Sequence, residues 1–166
     1  MLMKKIIIIG YGNPDREDDG VAWHVIMALA RHYGLPVPVD LIDGLIPDGS
    51  NPDFYTALQL TPEMADTIAE YDAVCFVDAH TGAVPDDLNI KRLEPGFQNS
   101  PFTHHMTPET CLSITKTIYQ TEPTALLVSV RGYSFQFMHS LSQHTADLAA
   151  DAVKVIVDWV DEIWEK

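Results

Sequence analysis

Four consecutive isoleucines, Ile6, Ile7, Ile8 and Ile9, stop at Gly10. Side chains along a strand alternate between two faces, so an unbroken β-branched run leaves no face for water and must be covered on both sides. Such strands belong to parallel sheets sandwiched between helices. The pattern recurs: Ala73, Val74, Cys75, Phe76 and Val77 form a second continuous apolar run ending at Asp78, and residues 125–130 form another. Helix-period stretches lie between and beyond them. Val21, Val25, Leu29 and Tyr33 recur at four-residue steps before the stop signals Gly34 and Pro36, and Leu148, Ala152, Val155, Ile156, Trp159 and Ile163 mark a long amphipathic helix at the C-terminus.

Thr61-Pro62-Glu63 and Thr107-Pro108-Glu109 each combine an N-cap, a proline at the first helical position and an acid in the first turn. A short helix is predicted after the first, and a helix through residues 112–119 after the second. Residues 39–42 read as strand two. Residues 88–93 alternate apolar and polar, the pattern of an edge strand with one wet face. Strands alternating with helices predict a three-layer α/β/α sandwich with a largely parallel central sheet of about five strands. A chain of 166 residues fits a single domain, residues 1–166.

Charge narrows the partners. Ten Lys plus Arg against 24 Asp plus Glu leave a formal charge of −14, which opposes nucleic-acid or anionic-membrane binding. No stretch approaches the roughly 18 apolar residues of a spanning helix. Gly10, Asn13 and Pro14 end the first apolar run too early for a signal peptide, so a soluble, cytoplasmic protein is expected. Cys75 and Cys111 form no CxxC pair and read as packing residues, which suits a reducing compartment.

Ligands of open α/β sheets bind outside the carboxyl ends of the strands. There this chain is acidic. Gly10-Tyr11-Gly12 would begin a dinucleotide fingerprint, but Asp15 stands where its third glycine is due, and the loop carries several acids that would repel a pyrophosphate. Of the adjacent Asp18 and Asp19, one can cap the following helix, which leaves the other facing whatever lies above the sheet. Asp78 either bonds its own turn or faces the same rim, and His104 and His105 stand just before a helix. Together these carboxylates and imidazoles make an O/O/N set suited to nickel or zinc. HExxH, GxSxG and Walker patterns are absent, and His24, His32, His139 and His144 read as surface positions.

The ordered set resembles the hydrogenase maturation proteases, which trim the C-terminus of the large subunit of [NiFe] hydrogenases. It comprises Ile8-Ile9-Gly10-Tyr11-Gly12-Asn13 leading to Asp18-Asp19-Gly20, then Val74-Cys75-Phe76-Val77-Asp78-Ala79, then Thr103-His104-His105-Met106-Thr107-Pro108-Glu109. Leu60-Thr61-Pro62-Glu63-Met64-Ala65 also looks like a segment found in part of that family. The resemblance implies an endopeptidase whose partner is the nickel-loaded large-subunit precursor. It places the metal ligands and catalytic residues at Asp19, Asp78 and His104, with Asp18 and His105 as adjacent alternatives. Nickel would arrive with the substrate, and no organic cofactor is implied. A non-catalytic binding module or nickel chaperone for the immature subunit would use the same three residues. A magnesium-dependent hydrolase of small phosphate esters would need more basic residues than this rim, with Arg16 alone in its first loop, supplies.

Three segments depart from the family pattern. Asp43-Gly44-Leu45-Ile46 replaces an Asp-Gly-Gly-Thr type of turn, Arg131-Gly132-Tyr133 replaces a Gln-Pro or Glu-Pro pair after the last strand, and Pro14-Asp15-Arg16-Glu17 is more polar than usual.

Overall fold

The computed structural model describes residues 2–37, 46–96 and 105–166. Among these residues five strands form one sheet: β1 (Ile6–Tyr11), β2 (Asp53–Ala57), β3 (Ala73–His80), β4 (Leu88–Leu93) and β5 (Thr124–Arg131), in the spatial order β2-β1-β3-β5-β4. The pairs β1·β2, β1·β3 and β3·β5 are parallel, and only the edge strand β4 runs antiparallel. The helices are α1 (Val21–His32), α2 (Met64–Ile68), α3 (Pro108–Tyr119) and α4 (Gln143–Glu165), with a 3-10 turn at Glu17–Gly20 leading into α1.

The isoleucine run divides between two cores. Ile6 and Ile8 pack with α1 and α4, among Val25, Leu29, Ile156 and Val160. Ile7 and Ile9 pack with α2 and α3, among Met64, Ile68, Cys111 and Leu112. All four are at most 2 % exposed. Full burial of such a side chain is worth about 1.5–3 kcal/mol, which is why an uninterrupted run marks the middle of the sheet. In β3, Ala73, Cys75 and Val77 join the α1–α4 core, while Val74 and Phe76 join the other. Both cysteines are buried, as the packing reading requires.

One sequence expectation needs correction. Thr61 does not cap α2, which begins at Met64 with no side-chain cap. Residues 61–66 instead form tight i→i−3 bonds, such as Met64 N–H to the Thr61 carbonyl at 3.2 Å, so the helix start is wound too closely for a hydroxyl cap. The second such start behaves as expected: Thr107 Oγ1 accepts from Thr110 N–H at 3.2 Å, with Pro108 in the first turn. The strand expected at residues 39–42 lies outside the described residues. The strand seen beside β1 is Asp53–Ala57. It shows little apolar signal because, as an edge strand, it buries Phe54 and leaves Tyr55 exposed.

β1 is flanked by β2 on one side and by β3 on the other, so successive connections leave in opposite directions and the carboxyl ends of β1 and β3 bound a crevice. Ligands settle at such switch points.

Candidate functional site

The crevice holds a cleft of about 450 Å³ whose lining includes Tyr11, Arg16, Asp19, Asp78, His105 and Met106, with residues 58–60 along one side. β1 delivers Tyr11, and β3 delivers Asp78 one position beyond the paired Gly10 and Val77. Backbone packing fixes Asp19. Gly12 has φ +144°, and a Cβ there would fall 2.2 Å from the Asp19 carbonyl oxygen, so only glycine lets the two segments approach. Asn13 N–H then donates to Asp19 Oδ2 at 3.1 Å.

Asp78 is held from both sides. Tyr11 Oη donates to its Oδ2 at 2.8 Å, and Ser129 Oγ, its register partner on β5, donates to Oδ1. Burial pushes the Asp78 carboxyl above the usual carboxylate range, against the opposing pull of the Ser129 and Tyr11 hydrogen bonds. Burial and the neighbouring Asp78 charge also push the Tyr11 phenol far up, so it stays protonated as a donor. Each carboxylate oxygen keeps a lone pair beyond its hydroxyl partner, which leaves Asp78 able to accept a cation.

Asp18, one residue from Asp19, is turned away. It is fully buried and accepts five hydrogen bonds: from the backbone N–H groups of Tyr133 (2.8 Å), Ser134 (3.0 Å) and Ser142 (2.8 Å), and from the hydroxyls of Ser142 (2.6 Å) and Thr145 (2.9 Å). Burial alone would raise its carboxyl, but the Ser142, Tyr133 and Ser134 hydrogen bonds outweigh it and hold the group below the usual range. The expected division between the two acids is therefore present, in altered form. Neither caps α1, whose N-cap is Gly20 with no side-chain bond; Asp18 ties down the start of α4 and the loop before it.

Of the expected ligands, Asp19 and Asp78 line one cleft, while His104 lies outside the described residues. Its neighbour His105 lines the cleft. Among the described residues no group of three His, Cys, Asp or Glu side chains converges as a metal site. His80 is committed elsewhere: its Nδ1 accepts from Gly82 N–H at 3.1 Å, which leaves Nε2–H to donate to the Asp87 carbonyl at 3.2 Å. Arg131 pairs with Asp87 at 3.0 Å and lies 4.8 Å over the Tyr133 ring, outside the cleft lining. His32, His139 and His144 are exposed, whereas His24 is half-buried with Nε2 3.0 Å from the His139 carbonyl oxygen.

Tyr11 and Ser129, which hold the Asp78 carboxyl, are not singled out by the sequence motifs. Ser129 did leave a signal, as the lone polar residue within the apolar run 125–130. No serine, threonine or cysteine stands among the described residues lining the cleft, and burial pushes the Cys111 thiol up to about 12, so no activated side-chain nucleophile is present there.

This architecture is that of the hydrogenase maturation proteases. A [NiFe] hydrogenase maturation protease HycI from Thermococcus kodakarensis superposes with a TM-score of 0.64 at 19% identity, over 99% of this chain and 94% of that one. The hydrogenase maturating endopeptidase HybD from E. coli gives 0.63 at 18%, over 95% and 93%. A hydrogenase 2 maturation peptidase from a Thaumarchaeota archaeon gives 0.61 at 19%, over 95% and 99%. No protein-family model matches the chain, and no curated protein matches its sequence.

Proposed function

We propose that this protein is an endopeptidase that removes the C-terminal extension of a nickel-loaded [NiFe] hydrogenase large-subunit precursor. The observation that carries the reading is the presentation of Asp19 and Asp78 in one cleft at the switch point of the sheet, with Asp18 turned away from it. The likeness in fold to maturation endopeptidases supports it.

In this reading nickel belongs to the substrate. Asp19, Asp78 and His104 complete the coordination of a metal already held by the precursor, and His105 is the adjacent alternative to His104. Carboxylate oxygens and an imidazole nitrogen suit a borderline divalent ion. Gripping the metal fixes the segment to be cut and turns a loose peptide encounter into an oriented one. The described residues lining the cleft include no side-chain nucleophile, and in this reading the attacking group is water. An incomplete precursor without nickel offers nothing for the carboxylates to hold, so the arrangement checks its substrate before cutting. Carboxylates must be ionised and the imidazole neutral to bind, so recognition weakens on acidification. The raised position of Asp78 strengthens that dependence. The reaction runs in the same compartment as the precursor, the cytoplasm.

The test is the intact mass of nickel-loaded and nickel-free precursor after incubation with the protein. Shortening of the nickel-loaded form alone is expected. A stable complex of unchanged mass would assign the protein to binding or nickel delivery, and no interaction would remove the reading altogether.

A further inference from the structure

The loop after β1 carries four acids in five positions, Asp15, Glu17, Asp18 and Asp19, and Arg16 stands among them. Each acid has a partner of its own. His139 Nε2 lies 2.8 Å from Asp15 Oδ1, Gln136 N–H donates to Glu17 Oε1 at 3.2 Å, Asp18 holds its five donors, and Asp19 Oδ2 accepts from Asn13 N–H. Asp78 is occupied by Tyr11 and Ser129. Arg16 forms an ion pair with none of these carboxylates. It is nevertheless the sole Lys or Arg among the described residues lining the cleft that Asp19 and Asp78 share. Its backbone is fixed there: Arg16 N–H donates to the Asn13 carbonyl at 3.2 Å, and its own carbonyl accepts from Asp19 N–H at 3.0 Å. One turn thus brings both Arg16 and Asp19 to the cleft. A guanidinium has five donors and no acceptor, so one that lines a cleft while the nearby acids bond elsewhere has its donors open to an anion brought from outside.

We infer that Arg16 selects the segment to be removed by pairing with a carboxylate that this segment carries. The inference rests on the endopeptidase reading and adds a specificity-determining residue to it. A planar guanidinium meets a carboxylate through two parallel N–H···O bonds, a geometry that an ammonium does not reproduce. The carboxylate is either an Asp or Glu side chain of the segment or the α-carboxylate at its end. Asp19 and Asp78 by themselves oppose the entry of such a group. A divalent ion held by the precursor offsets their charge once they grip it, and the cation of Arg16 is then unopposed. Metal and carboxylate are therefore read together, and a precursor that offers one without the other is held poorly.

Arg16→Gln tests the pairing, and because Arg16 is exposed the variant is expected to fold. Trimming of nickel-loaded precursor is followed by steady-state kinetics, and binding by titration calorimetry. Arg16→Gln is expected to raise KM about tenfold with kcat little changed, and Arg16→Lys to recover part of the loss. Two altered precursors identify the carboxylate: one with every Asp and Glu of the removed segment changed to the amide, the other with a Gly-Ser tail that carries the α-carboxylate away. One of them should bind the unaltered protein about tenfold more weakly and lose nothing further with Arg16→Gln. An unchanged KM in Arg16→Gln, or the same loss against all three precursors, overturns the inference while trimming by the unaltered protein still stands. A loss confined to kcat overturns it too, since Arg16 would then act at the reacting carbonyl. Failure of the unaltered protein to bind or trim precursor removes both proposals.

Discussion

Two desolvated carboxylates, Asp18 after β1 and Asp78 in β3, on the same end of the sheet, have been treated in opposite ways. Asp18 sits among five donors, three of them backbone N–H groups, and is held below the usual carboxylate range. Asp78 has two hydroxyl donors and is pushed above it. Both are desolvated, so burial does not decide the outcome; the supply of donors does. A fully satisfied carboxylate is a tie in the structure. One left short of partners keeps lone pairs free for a further donor or cation.

The contrast breaks first at Asp18. Asp18→Ala leaves five donors, one buried and four part-buried, without their acceptor and is expected to cost about 3–5 kcal/mol, read as a lowered urea midpoint at unchanged slope. Asp19→Asn, one residue away, should leave that midpoint within about 1 kcal/mol of the original while trimming of nickel-loaded precursor falls by about a hundredfold or more, measured by intact mass over time. If Asp19→Asn instead unfolds the protein, the two acids have the same job and the contrast is lost.

A smaller, sharper test uses pH. Asp18, with its folded value depressed, contributes stability that is complete above its ordinary value near 4 and is lost as pH falls through the lower folded value. Asp78, with its folded value raised, has the opposite sign: folding is penalised as pH rises from about 4 through the higher folded value. Asp78→Asn should therefore gain stability relative to the unaltered protein on going from pH 4 to pH 7. Asp18→Asn should lose relative stability as pH rises from the depressed value to about 4. Parallel stability–pH curves for the two variants would refute the opposite treatment of the carboxylates.

Much of this was legible in the residues. The unbroken isoleucine run specified a strand covered on both faces, and its even and odd members do enter separate cores. Asp19 and Asp78 could be placed on one rim because each follows the apolar run of a central strand, and the two strands are parallel. Asp53–Ala57 escaped because an edge strand with one covered face needs few apolar residues. The partners of Asp18 escaped for a different reason: Tyr133, Ser142 and Thr145 lie 115 to 127 positions away, and no local pattern announces a contact across that span.

That long span has a consequence for how the molecule comes into being. The loop presenting Asp19 is tied through its neighbour Asp18 to Ser142, 124 residues downstream, at the root of the final helix. Contacts this distant close only after the intervening chain is in place, since the entropy of bringing the ends together precedes any return. The placement of Asp19 is thus set late. A half-made chain emerging from the ribosome has its sheet strands in hand before it has the tie that squares this loop, and the rim stays unset until its last helix arrives.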